Sequence, residues 1–88
     1  MAIEEVLSSK GRIKILRILA DIGELNISEI ARRAGLNYTT TNEHLAALEN
    51  AGIILHKKFG RIRIFRLNEG NPRAEMIRKI VDSWGQTK

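Results

Sequence analysis

The spacing of apolar residues changes twice along this chain of 88 residues. Over the first half, apolar side chains recur three or four positions apart, which predicts amphipathic α-helices. From 53 to 67, two runs rich in β-branched residues alternate apolar and polar side chains, which predicts a β-hairpin. Helical spacing returns over 72–85, after an asparagine and a proline in the order typical of a helix start. The pattern predicts a mainly α fold with one small β-hairpin, in a single domain covering 1–88.

Two short helices in the middle of the chain, over 28–51, are separated by a glycine turn. Ser28 is expected to cap the first helix, and Asn37 is expected to cap the second, which covers 38–51. Gly35 supplies the left-handed backbone that a tight turn between helices needs. The segment therefore predicts a helix-turn-helix.

The hairpin over 53–67 leaves two details open. Phe59 and Gly60 mark its turn, but phenylalanine is a poor residue at a positive φ, so a four-residue loop is an alternative to a two-residue one. The inward face of the second strand is ambiguous, because two isoleucines favour one face whereas Phe65 and Leu67 favour the other. A β-bulge would reconcile the two patterns.

Positive charge is concentrated in the same middle segment. The chain has a formal net charge of +5 and a pI of about 10.1, and residues 28–66 carry seven basic and three acidic side chains, a net +4. Such a basic segment indicates a polyanionic partner. The alternative is that a basic face only keeps a small protein soluble.

The helix over 38–51 has an apolar back and a polar front, as a helix that enters the major groove of DNA requires. Its back is formed by residues spaced to face the core, which are Thr41, Leu45 and Leu48. The candidates for reading bases lie at the front, and they are Tyr38, Thr39, Asn42 and Glu43. Asn42 can pair bidentately with an adenine edge, whereas Glu43 can accept from a cytosine amino group or repel phosphates. A threonine-rich surface helix without this role is the alternative.

Basic side chains beside this helix, together with one of its hydroxyls, are the candidates for binding the DNA backbone. They are Arg32 and Arg33 on the preceding helix, Thr40, and Lys57, Lys58, Arg61 and Arg63 on the hairpin. Lysine and arginine hold phosphates, and a basic ribbon can also enter a minor groove. The alternative for the hairpin charges is that they prevent aggregation between strand edges.

Residues 9–67 resemble the winged helix-turn-helix of ArsR-type and MarR-type transcriptional regulators. The stretches that carry the resemblance are RIKILRIL, ISEIARRAGLN, TNEHLAALENAGII and GRIRIFRLN. The resemblance implies a homodimeric regulator in which Tyr38, Thr39, Asn42 and Glu43 occupy base-reading positions and the Arg61 end of the hairpin is the wing. Thirteen isoleucines, one glutamine and no cysteine further indicate an archaeal or thermophilic source.

Metal sensing is common among ArsR-type proteins, through cysteines near the second motif helix or through histidines and carboxylates of the last helix. This chain has no cysteine, and its last helix offers only Glu75 and Asp82. The two histidines, His44 and His56, form no ligand pair at helical spacing. We therefore expect no metal and no other cofactor.

An apolar stripe on the last helix, 72–85, is expected to pair with its copy in a homodimer. The residues expected at this interface are Met76, Ile77, Ile80, Val81 and Trp84, with contributions from Ile3, Val6 and Leu7. The alternative is that the helix folds back on its own domain.

These features predict a cytoplasmic regulator of transcription that binds double-stranded DNA sequence-specifically as a homodimer. The alternatives are an architectural DNA binder with little sequence preference and a winged-helix module that binds protein. No nucleophile–base pair, phosphate-binding glycine loop or carboxylate pair indicates an enzyme. No apolar run approaches the roughly 20 residues that cross a bilayer, and no signal-peptide pattern opens the chain.

Overall fold

The computed structural model describes residues 1–85, which form five helices and three strands. In chain order these are α1 (Ile3–Leu7), α2 (Lys10–Ile22), β1 (Leu25–Asn26), α3 (Ile27–Ala34), α4 (Tyr38–Asn50), β2 (Ile54–Phe59), β3 (Ile62–Leu67) and α5 (Pro72–Gly85). The predicted mainly α fold with a small β-hairpin is confirmed, with the short strand β1 added to the hairpin. Across the described residues, no helix has the length and apolar character needed to span a membrane.

The apolar core lies between α2, α3, α4 and the sheet. Its largest fully buried side chains come from each of these elements, and they are Ile15 and Leu19, Ile30, Thr41, Leu45 and Leu48, Ile54 and Phe65. Fully burying one aliphatic side chain of this size contributes about 1.5–3 kcal/mol. The three inward positions predicted for α4 are among them, so the core fixes which side of that helix remains outside.

Helix α3 begins one residue before its predicted cap. Asn26, not Ser28, is the N-cap, because its backbone is extended (φ −78°, ψ 165°) and its side-chain oxygen accepts a hydrogen bond from the Glu29 amide at 2.9 Å. Ser28 lies exposed in the first turn of the helix. The prediction was wrong because Asn26 also belongs to β1, and pairing with β3 holds its backbone in the extended conformation that a cap requires.

The turn between α3 and α4 depends on a left-handed glycine. Gly35 has φ 68° and ψ 32°, and its N–H and that of Leu36 close the last turn of α3 by donating to carbonyls within it. Glycine adopts this conformation without a Cβ clash. Asn37 then caps α4, as predicted, since its side-chain oxygen accepts from the Thr40 N–H at 2.7 Å.

The three strands form one antiparallel sheet in the order β1–β3–β2. Strands β2 and β3 pair continuously along their whole length, so the hairpin turn is Gly60-Arg61 rather than Phe59-Gly60. Gly60 takes the positive φ, 63°, and Phe59 remains in the strand. The predicted turn is displaced by one residue because a two-residue turn places its glycine first when only one residue has a positive φ.

Strand β3 directs Phe65 and Leu67 into the core, where each is almost fully buried. Ile62 is exposed and Ile64 is half-buried on the opposite face. The register between β2 and β3 is unbroken, so no bulge is needed to accommodate the two apolar patterns. Packing against the helices therefore resolves the ambiguity in the sequence.

Helix α5 packs one side against α2 and exposes the other. Ala74 is buried, and Ile77 and Val81 pack against the core. The exposed apolar residues of this helix are Met76, Ile80 and Trp84. The fold-back expected as an alternative is thus present, and it leaves an apolar stripe uncovered in the protomer.

Candidate nucleic-acid interface

Helix α4 presents its front side to solvent. Of the four residues predicted to read bases, Tyr38, Thr39 and Glu43 are exposed, and Asn42 is half-buried. Thr40, predicted to bind the DNA backbone, is half-buried and its amide is engaged by the helix cap. The helix contains neither lysine nor arginine, so positive charge at its front must come from neighbouring elements.

Arg63 brings such a charge from the hairpin β2–β3, called the wing below. Its guanidinium donates a hydrogen bond to the side-chain oxygen of Asn42 at 2.9 Å and lies over the Phe65 ring, 5.3 Å from the ring centre. Arg63 is half-buried. We predicted a DNA backbone contact for this residue, and the structure gives its guanidinium a partner within the protein.

A second link between α4 and the wing is formed by Glu49 and His56. The Nδ1 atom of His56 lies 2.5 Å from a carboxylate oxygen of Glu49, and the imidazole is tilted against Phe65 with 5.2 Å between ring centres. Both links involve the inward face of the wing, so the wing is fixed beside α4.

These two links were not predicted from the sequence. The signal that reveals them is the strand register, because side chains alternate between the faces of a strand. Once Phe65 faces inward, Arg63 lies on the same face, and the pairing of His56 with Phe65 places the imidazole there as well.

The two arginines of α3 share one carboxylate. Arg32 makes two hydrogen bonds to Glu29, each 2.9 Å long, and Arg33 Nε lies 3.7 Å from the same group. The hydrogen bond from Arg32 lowers the pKa of Glu29, and Glu29 in turn raises the pKa of Arg32. Both arginines are exposed, and exposed ion pairs of this kind contribute little to stability.

The remaining predicted backbone contacts lie near the tip of the wing. Lys57, Lys58 and Arg61 are all exposed. Lys58 pairs with Arg63 across the strands and so shares its face, whereas Lys57 lies on the opposite face. The tip therefore carries positive charge on both sides.

Behind its front, α4 is held to α2 by His44. Its Nδ1 accepts a hydrogen bond from Arg12 Nε at 3.2 Å, and its other ring nitrogen faces Gly11. Burial, followed by the charge of Arg12, lowers the pKa of His44, and Glu43 has a smaller opposite effect. Within residues 1–85, no three histidine or carboxylate side chains come close enough to hold a metal ion.

The residues predicted at a dimer interface divide into two groups. Val6 is buried in the protomer's own core, and Ile77 and Val81 are half-buried against it. The others are exposed apolar side chains of α1 and α5, called the α1–α5 face below, and they are Ile3, Leu7, Met76, Ile80 and Trp84. Three of them, Leu7, Ile80 and Trp84, line an apolar groove of about 330 Å³ between α1, α2 and α5.

A helix-turn-helix with an exposed second helix, followed by a wing fixed beside it, defines the winged helix-turn-helix class of proteins. Residues 9–55, just over half of the chain, match the family described as bacterial regulatory protein, arsR family. The chain belongs to this ArsR family.

The relatives that match most of the chain include two resistance regulators. The cadmium resistance transcriptional regulatory protein CadC homolog of Staphylococcus aureus is 28% identical over 78 residues, which is 89% of this chain and 60% of that protein. The arsenical resistance operon repressor of Escherichia coli (strain K12) is 27% identical over 80 residues, covering 91% of this chain and 68% of the repressor. The chain thus spans less than two thirds of the length of the CadC homolog.

Solved structures with a similar fold include HlyU from Vibrio cholerae, with a TM-score of 0.78, 21% identity and coverage of 91% of this chain and 84% of HlyU. They also include Mb0332 from Mycobacterium bovis, described as a homodimeric winged helix-turn-helix DNA-binding domain. Its TM-score is 0.75 and its identity 26%, covering 93% of this chain and 73% of that one. The fold assignment therefore agrees with the family assignment.

Proposed function

We propose that this chain is a transcription regulator that binds double-stranded DNA sequence-specifically as a homodimer. The observation that carries the proposal is the exposed polar front of α4, with a cation-rich wing fixed beside it. Membership of the ArsR family supports the same role. In this proposal the protein acts by binding rather than by catalysis, in the cytoplasm, where bacterial and archaeal chromosomes lie.

Helix α4 enters the major groove in the proposed complex. This groove is about 12 Å wide and accepts one α-helix. The base-reading residues are Tyr38, Thr39, Asn42 and Glu43, because they lie on the side of α4 that the core leaves uncovered. Glu43 selects against bases that present only acceptors, since a carboxylate can only accept a hydrogen bond.

The DNA backbone is held from both sides of α4. Arg32, Arg33 and Thr40 approach from the helix-turn-helix, and Lys57, Lys58 and Arg61 approach from the wing, whereas the guanidinium of Arg63 is engaged by Asn42. Phosphate contacts of this kind fix the register of the protein on the duplex without reading its sequence.

Dimerisation is assigned to the α1–α5 face. Exposed apolar surface of this kind on a small domain is typical of a protein interface. Ile77 and Val81 line the groove beside these residues, and Val6 of α1 is buried in the protomer's own core. A twofold dimer places two copies of α4 about 34–36 Å apart, one turn of DNA, and so predicts a pseudo-palindromic site.

The test is selection of bound sequences from a random duplex pool by the purified protein, followed by footprinting on the selected site. We expect one discrete protected region with twofold symmetry. Smooth protection along the duplex would favour an architectural binder instead, and no retention of DNA in physiological salt would contradict DNA binding altogether.

Two variants separate the reading of bases from the holding of phosphates. Asn42→Ala should weaken binding to the selected site more than to random duplex, whereas Arg61→Ala should weaken both equally. If the dimer neutralises about eight phosphates, the logarithm of the wild-type binding constant should fall with the logarithm of the salt concentration at a slope of roughly −7. Arg61→Ala should make this slope shallower. Lys79→Ala, which removes a charge from α5, is the matched control and should leave the slope unchanged. Equal losses on both duplexes for Asn42→Ala would remove its base-reading role.

We also propose that the protein comes from an archaeal or thermophilic organism. The isoleucine-rich, cysteine-free composition supports an archaeal or thermophilic origin. A thermal unfolding midpoint within the mesophilic range of about 45–65 °C would contradict it.

A further inference from the structure

The hydrogen bond between Arg63 and Asn42 fixes the orientation of the Asn42 amide. A guanidinium has donors only, so it is the oxygen of the amide that faces Arg63, at 2.9 Å. The amide nitrogen is then not the group that faces Arg63, and it remains available as a donor. Of the two groups with which an asparagine pairs to adenine, one is already engaged before any DNA is bound.

Arg63 is itself held in place. Its guanidinium lies over Phe65, which is 1% exposed, and its strand pairs without a break with β2. Strand β2 is tied to the same helix by the His56–Glu49 contact. The donor that orients Asn42 is thus part of a rigid arrangement that spans α4, β2 and β3, rather than a mobile surface side chain.

We propose that Arg63 is a positioning residue for base recognition, which holds the Asn42 amide so that its nitrogen donates to an acceptor on a base. The inference rests on the proposed function, because it assumes that α4 lies in the major groove. Acceptors in that groove are the N7 atoms of purines, O6 of guanine and O4 of thymine, whereas cytosine presents an amino donor. Asn42 therefore reads its base as a donor and rejects cytosine.

This role differs measurably from that of a phosphate contact. A side chain that neutralises a phosphate strengthens binding to every duplex and steepens the salt dependence. A side chain that orients a base-reading amide changes the preference at one base position and leaves the salt dependence almost unchanged.

The first test replaces Arg63 by methionine, which keeps an apolar stem over Phe65 and removes the donor. The dissociation constants of wild type and Arg63→Met are measured on the selected site and on three further duplexes. In each of these, the base that Asn42 contacts is replaced by one of the other three bases. We expect discrimination at this position to fall about fivefold to tenfold, the value of one hydrogen bond, with the salt slope retained. Retained discrimination with a shallower slope would overturn the proposal in favour of a phosphate contact.

Lys57→Met is the matched control, since it removes the same charge from the opposite face of the wing. As the loss of a phosphate contact, it should weaken binding to every duplex and make the salt slope shallower, with discrimination between bases unchanged. If it lowers discrimination at the base that Asn42 contacts as much as Arg63→Met does, the effect belongs to charge alone and the proposal fails. The double variant Asn42→Ala/Arg63→Met should discriminate no worse than Asn42→Ala, because Arg63 acts through Asn42.

A second test reverses the hydrogen-bonding character of the reader. Asn42→Asp has the same shape, keeps an oxygen for Arg63 and presents a second oxygen in place of the amide nitrogen. It should therefore shift the preferred base at this position towards cytosine, whose amino group donates. An unchanged preference would contradict the donor role. Failure of the wild type to select any site would instead overturn the proposed function, and this inference with it.

Discussion

Gly11 lies where any side chain would collide with α4. A Cβ atom at this position would be 2.8 Å from Nε2 of His44, much closer than such atoms normally approach. The opposite nitrogen of the same ring accepts a hydrogen bond from Arg12, so the imidazole cannot turn away without losing that bond. The close packing of α2 on α4 therefore requires glycine at this position.

Gly11→Ala should destabilise the fold by about 1 kcal/mol. Alanine favours a helix interior by about 1 kcal/mol over glycine, but overpacking against the held imidazole costs about 1–3 kcal/mol. In a His44→Ala background the clash is absent, and the same substitution should stabilise by up to about 1 kcal/mol. Urea unfolding of the four proteins gives these values, and the same sign in both backgrounds would contradict the role of His44.

Acidic pH should weaken the fold through His44. Its folded-state pKa is lowered below the ordinary value of 6.5, so protons bind the unfolded chain first as the pH falls. The stability that depends on the neutral ring is thus complete above about pH 6.5 and is lost as the pH falls through the lower folded-state pKa. The free energy of unfolding should decline more between pH 7 and pH 5 in wild type than in His44→Gln. Parallel declines would show that this residue is not responsible.

At the scale of single residues, the sequence predicted a helix N-cap correctly only where the neighbouring residues alone determine it. Asn37 was predicted as the cap of α4, and the structure confirms it. The prediction of Ser28 as the cap of α3 was wrong because Asn26, two residues earlier, is an equally good capping residue and only strand pairing distinguishes the two. The orientation of Asn42 was not predictable, since its partner Arg63 lies 21 residues away in the sequence.

At the scale of elements, the positive charge of α3 is partly neutralised by a carboxylate of the same helix. Glu29 engages Arg32 and lies close to Arg33, and all three side chains are on the surface of that helix. A DNA phosphate that binds either arginine must compete with this carboxylate. The helix therefore offers phosphates less positive charge than its two arginines indicate.

Glu29→Gln should strengthen DNA binding on any sequence. Removal of the carboxylate frees two arginines, so affinity at low salt should rise by roughly twofold to fivefold without a change in base preference. Because the pair is exposed, the thermal unfolding midpoint should change little. Titration of a labelled duplex measures the affinity. Glu24→Gln, an equal charge change outside α3, is the control, and an equal gain in that variant would show a general effect of charge.

The order and type of the helices and strands were predictable from the sequence, but the faces by which they pack against one another were not. Period and caps locate the helix-turn-helix and the hairpin, because both depend on local spacing. The inward face of β3 depends on which apolar pair the helices cover, and alternation along the strand is equally consistent with either. The links from the wing to α4 depend on which face of β3 is inward, so the geometry around Asn42 could not be predicted from the sequence either.

At the scale of the whole molecule, the α1–α5 face should determine the oligomeric state. Ile80→Glu places a charge in its apolar stripe, so we expect a monomer at micromolar concentration and DNA binding that is at least tenfold weaker, since one α4 alone loses the second half-site. Light scattering and duplex titration measure both. Lys79→Glu, one residue away and outside the stripe, should remain dimeric. A dimer that persists in Ile80→Glu would place the interface elsewhere.

Asn26 connects the wing to the start of the helix-turn-helix. Its backbone pairs with Ile64 in the middle of β3, and its side chain holds the Glu29 amide at the start of α3. Any deflection of the wing against a duplex must displace that acceptor as well. We therefore expect bending of the wing to be coupled to fraying of the first turn of α3, so that the exchange rate of the Glu29 amide reports strain on the wing.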